Sequence, residues 1–150
     1  MQTGTAGKEE SMREILFRGK RVDNGEWVYG NIVFTRSERA FLLEGSFFSG
    51  ERHEGDFKHG EIYGTEVIPE TLGQYTGLTD KNGVRVFEGD ILFSSYIADS
   101  PSIEVVKWIY NGWHTQEGDL TPDMIDDVGI MPYSEVIGNV HDNPGLMRGE

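Results

Sequence analysis

The spacing of turn residues is the tightest constraint on this chain. From Glu66 to Phe93 it reads E-V-I-P-E-T-L-G-Q-Y-T-G-L-T-D-K-N-G-V-R-V-F-E-G-D-I-L-F. Short apolar runs are cut by Pro69, Asn82-Gly83 and Gly89-Asp90. Asn and Gly accept positive φ at little cost, so Asn82-Gly83, between Gln74–Leu78 and Val84–Phe87, predicts a β-hairpin. Glu88-Gly89-Asp90 predicts a second tight turn before the strand opening at Ile91-Leu92-Phe93. Pro69 is placed to begin a single helical turn. Each Gly, Asp and Thr of the stretch thus has a turn or strand role.

The same alternation runs along the rest of the chain. Glu14–Val22 predicts a strand, and Asp23-Asn24-Gly25 a turn. Glu26–Thr35 predicts a second strand, with Trp27, Tyr29 and Val33 on one face and Val28, Ile32 and Phe34 on the other. Apolar residues on both faces predict a strand lying between layers. Ala40–Glu44 completes an antiparallel meander. Strand character resumes at Ile62–Ile68. Ile103–Tyr110 and Trp113–Gln116 flank Asn111-Gly112, an expected two-residue hairpin turn. Thr121-Pro122 sets up a short helix over Asp123–Asp127. Tyr133–His141 is the last expected strand, followed by Asp142-Asn143-Pro144-Gly145 and a fraying tail. Gly45–Glu61, with Gly at 45, 50, 55 and 60, reads as a long loop. The first 11 residues read as a flexible leader.

Composition supports a β-rich domain. There are 20 Gly and only 5 Pro, and 8 Phe, 6 Tyr and 3 Trp can supply a core. The absence of cysteine excludes disulfides, cysteine metal sites and thiol catalysis. No apolar run approaches the ~18 residues of a bilayer span, and the N-terminus lacks a signal-like apolar core. A cytoplasmic protein with no membrane partner is the expectation. The net charge of −13 argues against binding to phosphate backbones.

Several runs together carry a family resemblance. They are Phe17-Arg18-Gly19-Lys20 with Trp27-Val28-Tyr29-Gly30, then Val67 to Leu78, Asp80 to Gly83 and Phe87 to Ile91, and finally Glu135 to Pro144. In combination these runs resemble the YopX family over nearly all of Met12 to Met147. The resemblance implies a small protein of bacterial temperate phages and prophages, with a mostly β fold, an SH3-like portion and self-association. It brings no catalytic or ligand residues. The expected fold is therefore mainly β: an antiparallel meander plus an SH3-like small barrel, with one or two short helical turns. The expected organisation is a leader (1–11), an N-terminal β subdomain (12–68) and a C-terminal SH3-like β subdomain (69–150).

Candidate chemistry is thin. His53, Asp56 and His59 offer metal-ligand atoms, but H-x5-H matches no regular zinc spacing and a Gly-rich loop is a poor cage. Asp119, Asp123, Asp126 and Asp127 lack EF-hand order, and acids in a first helical turn already suit the helix dipole. No Gly-x-Ser-x-Gly elbow or phosphate-binding Gly-x-x-x-x-Gly-Lys-Ser/Thr loop is present. Trp27, Tyr29, Trp108, Tyr110 and Trp113 would need a basic groove to stack nucleic acid, so core or interface packing suits them better. Structural turns are expected at Asn24, Gly25, Asn82, Gly83, Gly89, Asp90, Asn111 and Gly112. No cofactor is implied. The leading expectation is a non-enzymatic phage accessory protein acting by self-assembly or on a protein partner. The alternatives are an acidic DNA mimic that inhibits a host protein, and a metal-dependent factor using His53–Glu61.

Overall fold

The chain folds into antiparallel strands joined by tight turns, as the spacing of Gly and Asn predicts. The computed structural model describes residues 13–44, 63–95, 99–109, 112–115 and 131–149, with the strand backbone alone at 48–49, 52–53, 56–57, 61–62 and 118–119. In order the strands are β1 (Phe17–Lys20), β2 (Trp27–Phe34), β3 (Ala40–Leu43), β4 (Phe48–Ser49), β5 (Arg52–His53), β6 (Asp56–Phe57), β7 (Glu61–Ile62) and β8 (Thr65–Val67). They continue as β9 (Gly73–Thr79), β10 (Arg85–Phe87), β11 (Asp90–Ser94), β12 (Ser102–Val105), β13 (Lys107–Ile109), β14 (Gly112–Thr115), β15 (Gly118–Asp119) and β16 (Ser134–Asn139). Single 3-10 turns lie at Pro69–Thr71, Met131–Tyr133 and Pro144–Arg148.

The largest sheet has the order β10-β9-β1-β2-β3-β8. Its meander returns on itself. Ile68 N–H donates to Lys20 C=O at 2.8 Å, and Arg21 bridges Val67, so β8 meets the end of β1 again. The enclosed core is Val28, Ala40, Leu42 and Val67, with Phe17, Ile32 and Leu72 packed against it. A second core, Val86, Leu92, Val106 and Met131, lies among the later strands, where β12-β11-β16 form a separate sheet. Strands before and after Pro69 share the large sheet, because β9 pairs with β1.

Several local expectations give way to tertiary contacts. The first strand spans only Phe17–Lys20, and Ile15 and Val22 at its ends are exposed. The second is not buried on both faces along its length: Tyr29 and Val33 on one face and Phe34 on the other are exposed, and burial is confined to Val28 and Gly30. The continuous strand expected over Ile103–Tyr110 is broken at Val106. Its N–H donates to Asp90 C=O and its C=O accepts from Gly89, both at 2.9 Å. That anchorage drives the Val106 side chain into the core and divides β12 from β13. Within Gly45–Glu61 the expected loop contains paired strands, β4 with β7 and β5 with β6. The tail winds into the 3-10 turn at Pro144–Arg148 and is capped by Gly149 in the left-handed region (φ +72°). The expected helix over Asp123–Asp127 lies outside the described residues.

Candidate functional site

Period-two alternation on β1 builds the site. Phe17 packs on the first core, and a Cβ at Gly19 would sit 3.0 Å from Val67 Cβ, so these two residues face inward. Arg18 and Lys20 therefore face the other way. Their cross-strand partners on β2 are Tyr29 and Trp27, which places two cations beside two aromatic rings on one surface.

Arg18 is only 7% exposed. Its Nη2 donates to Asp90 Oδ1 at 2.7 Å, and Asp90 Oδ2 accepts the Phe87 N–H at 2.7 Å. Burial holds the Asp90 carboxyl above its usual pKa, outweighing the Arg18 charge that lowers it. The guanidinium lies 4.6 Å from the Trp27 ring centroid and 4.8 Å from that of Phe87, both within cation–π range. The buried Arg18 Nε–H has no hydrogen-bond partner.

The network continues to the turn that follows β16. Trp27 Nε1–H donates to Asp142 Oδ2 at 2.7 Å, and Lys20 forms an ion pair with Asp142 Oδ1. The bond from Lys20, and then that from Trp27, lowers the Asp142 carboxyl to about 2. Asn139 aims this turn: its Oδ1 accepts from the backbone N–H of His141 and of Asp142, while its Nδ2 donates to Asp142 Oδ2. The His141 ring sits 5.9 Å from Trp27. Burial, and then the Arg18 and Lys20 charges, lowers its pKa, so the imidazole is neutral at pH 7.

A cavity of about 540 Å³ opens beside Arg18 and Asp90, within the range of small-molecule sites. Leu16, Tyr29, Val84, Phe87 and Val136 line it with apolar surface. Glu14 and Arg85 also line it and form an exposed ion pair at 2.9 Å. The arrangement offers ring faces and carboxylates already engaged by cations. That chemistry suits binding.

The comparisons accord with the architecture. The family model described as "YopX protein" matches residues 16–148. The chain belongs to the YopX family. Among solved structures it is similar to protein EF1440 from Enterococcus faecalis, at 25% identity and a TM-score of 0.58, covering 89% of this chain and 98% of that one. A search of curated proteins finds no match. Nothing in these comparisons points to a catalytic activity.

The runs that carry the YopX resemblance supply the network. Arg18 and Lys20 come from the first, Trp27 from the second, Phe87 and Asp90 from the run that flanks the β10–β11 turn, and His141 and Asp142 from the last. Reading the runs as turns and strands missed this convergence. The available signal was two cations alternating with core residues on one short strand, paired with aromatics on the next.

The named turn residues occupy varied positions. Asn24 lies in the β1–β2 turn, and Gly25 follows it at φ +71°. Asn82 and Gly83 lie in the β9–β10 turn, where Asp80 is the anchor. Its Oδ1 accepts from the backbone N–H groups of Asn82 and Val84, and its Oδ2 from that of Val136 on β16. Gly89 takes φ +85° against Val106 and Val140, while Asp90 is the buried partner of Arg18. Gly112 opens β14 opposite Ile109, and Asn111 lies outside the described residues.

The candidate ligand residues gather less. His53 and Asp56 are register partners across β5 and β6, and His59 lies outside the described residues. Asp119 is on β15, and Asp123, Asp126 and Asp127 lie outside them too. Among the described residues no group of three or more His, Asp or Glu could hold a metal ion. The aromatics divide: Trp27 and Tyr29 belong to the Arg18 network, Trp108 packs edge-on against Trp113 at 4.8 Å, and Tyr110 is not among the described residues.

Proposed function

We propose that this YopX-family protein is a non-enzymatic phage or prophage accessory protein, acting in the bacterial cytoplasm by β-edge pairing with a second copy of itself. The observation that supports this is β13. Among the described residues it is the outer strand of its sheet. All three of its residues are exposed, including Trp108 at 49% and Ile109 at 39%. An exposed edge with large apolar side chains is a template for another strand. Two copies pairing along β13 would cover the Trp108 rings and satisfy the edge N–H and C=O groups together.

Light scattering during size-exclusion at micromolar concentration tests the reading. The expected result is a dimer or larger assembly that Ile109→Lys converts to monomer with an unchanged melting temperature. A monomeric parent protein would overturn it. A second reading, an acidic mimic of DNA that occupies a host protein's basic cleft, draws on the net charge of −13. Salt-sensitive capture of a basic host protein by the monomer would favour it.

A further inference from the structure

We propose that the cavity opening onto the first core is a binding site for a small organic cation, a primary ammonium group carried on an apolar ring or chain. This goes beyond the assembly reading and does not depend on it, since no residue of the cavity lies on β13. The cavity has a volume of about 280 Å³, close to the lower bound of about 300 Å³ for small-molecule sites. Phe17, Ile32 and Leu72 line it, and the same three residues pack against the core of Val28, Ala40, Leu42 and Val67. Phe34, 60% exposed, completes the apolar wall. The closed meander thus leaves an apolar opening at one end of its core.

The polar side of the cavity is acidic. Glu88 lines it together with Gly73 and Gln74. A Cβ at Gly73 would lie 2.6 Å from the Glu88 carbonyl oxygen and 3.6 Å from Glu88 Cβ, so the bare glycine lets the root of the Glu88 side chain come up against β9. The Glu88 carboxyl accepts from the Gln74 backbone N–H. Burial holds that carboxyl above its ordinary pKa, outweighing the Gln74 bond that lowers it. No ion pair of the described residues includes Glu88. Arg18 meets its backbone carbonyl at 3.5 Å but pairs with Asp90. No Lys or Arg lines the cavity. A half-buried carboxylate without a counter-ion is unfavourable, and an entering ammonium group supplies the missing charge through a strong, charge-assisted hydrogen bond. The apolar wall covers the rest of the ligand. The chain as a whole carries −13, so its field draws cations in and opposes anions.

The backbone N–H resonances of Gly73 and Gln74 report on the site by proton–nitrogen NMR. The full-length protein is titrated at neutral pH, in physiological salt, with millimolar benzylammonium, benzyl alcohol, benzoate and ammonium ion. Benzylammonium is expected to move both resonances in a saturable way. Benzyl alcohol, the same ring without the charge, is expected to bind at least tenfold more weakly. Benzoate and ammonium ion are expected to leave the resonances in place. Glu88→Gln, which keeps an acceptor for the Gln74 N–H, is expected to weaken benzylammonium binding at least tenfold while the backbone spectrum of the folded protein is retained. The proposal is overturned if benzylammonium leaves both resonances unmoved, or if benzyl alcohol binds as tightly. It is equally overturned if ammonium ion moves them as far, which would reduce the effect to diffuse attraction by the net charge, or if Glu88→Gln binds benzylammonium as tightly as the parent. The ligand series on the parent protein decides the matter by itself should Glu88→Gln not fold.

Discussion

Trp27 and Asp142, 115 residues apart, are joined by a 2.7 Å hydrogen bond from the indole Nε1 to the carboxylate Oδ2. This bond ties the first hairpin to the turn that follows β16. Lys20 and Asn139 hold the same carboxylate, so Asp142 is a junction of four elements of structure. Replacing Trp27 with Phe keeps the ring beside Arg18 and removes only the donor. The expected loss is about 1 kcal/mol of stability, read from urea unfolding.

Acidification should loosen this junction in two steps. The Asp142 pKa is depressed to about 2 from an ordinary 3.8. Its stabilisation is therefore complete above 3.8 and is lost as pH falls towards 2. His141 is depressed below its ordinary 6.5, so its contribution is complete above that value and declines below it. Melting temperature followed from neutral pH downwards should fall across both windows. Asp142→Asn should flatten the lower one. A variant whose acid limb matches that of the parent would remove Asp142 from the account.

Asp90→Ala strands the Arg18 guanidinium among Trp27 and Phe87 and leaves the Phe87 N–H without its acceptor. Breaking a buried ion pair from one side costs about 3–5 kcal/mol. Arg18→Met combined with Asp90→Leu should cost clearly less than the two single changes added together. A double-mutant cycle by chemical denaturation measures the difference.

Gly30 and Gly25 look interchangeable in the sequence, yet their substitutions should differ. A Cβ at Gly30 would lie 2.2 Å from the Leu43 carbonyl oxygen, a backbone atom with no freedom to yield. At Gly25 nothing lies within 4 Å, and only the φ of +71° opposes a side chain. Gly30→Ala should cost about 3 kcal/mol or more. Gly25→Ala should cost about 1–2 kcal/mol, the strain of an L-residue in the left-handed region. Equal losses in urea would refute the distinction.

Asp80→Ala removes the acceptor of three backbone N–H groups, two in its own turn and one on β16. At least about 3 kcal/mol should be lost. Asp80→Asn, with one acceptor oxygen, should fall between the parent and the alanine variant. Hydrogen exchange at Val136 should accelerate in both.

The turns were legible because their causes are local. Asn82-Gly83 and Gly89-Asp90 specify backbone conformations within a few residues, and the strands between them follow. The break at Val106 was not legible, because its cause is a pair of hydrogen bonds to Gly89 and Asp90, far back in the chain. The exposure of Tyr29, Val33 and Phe34 was equally hidden. Alternation shows that a strand has two apolar faces, and only the packing of other layers decides which positions on each face are covered.

The Arg18 network was hidden for a further reason. Thirteen cations face twenty-six carboxylates in this chain, so pairing by charge alone leaves each cation several partners. By itself the sequence determined the strand-and-turn grammar, the YopX resemblance and the alternation that sets Arg18 and Lys20 on one face of β1. Tertiary structure decided that Asp90 and Asp142 receive them, that Trp27 lies against both cations, and that one Arg18 N–H is left facing no protein acceptor. Turn conformation is governed by neighbours in the chain. The partner of a buried charge is governed by which strands and turns the whole fold brings within 3 Å of it.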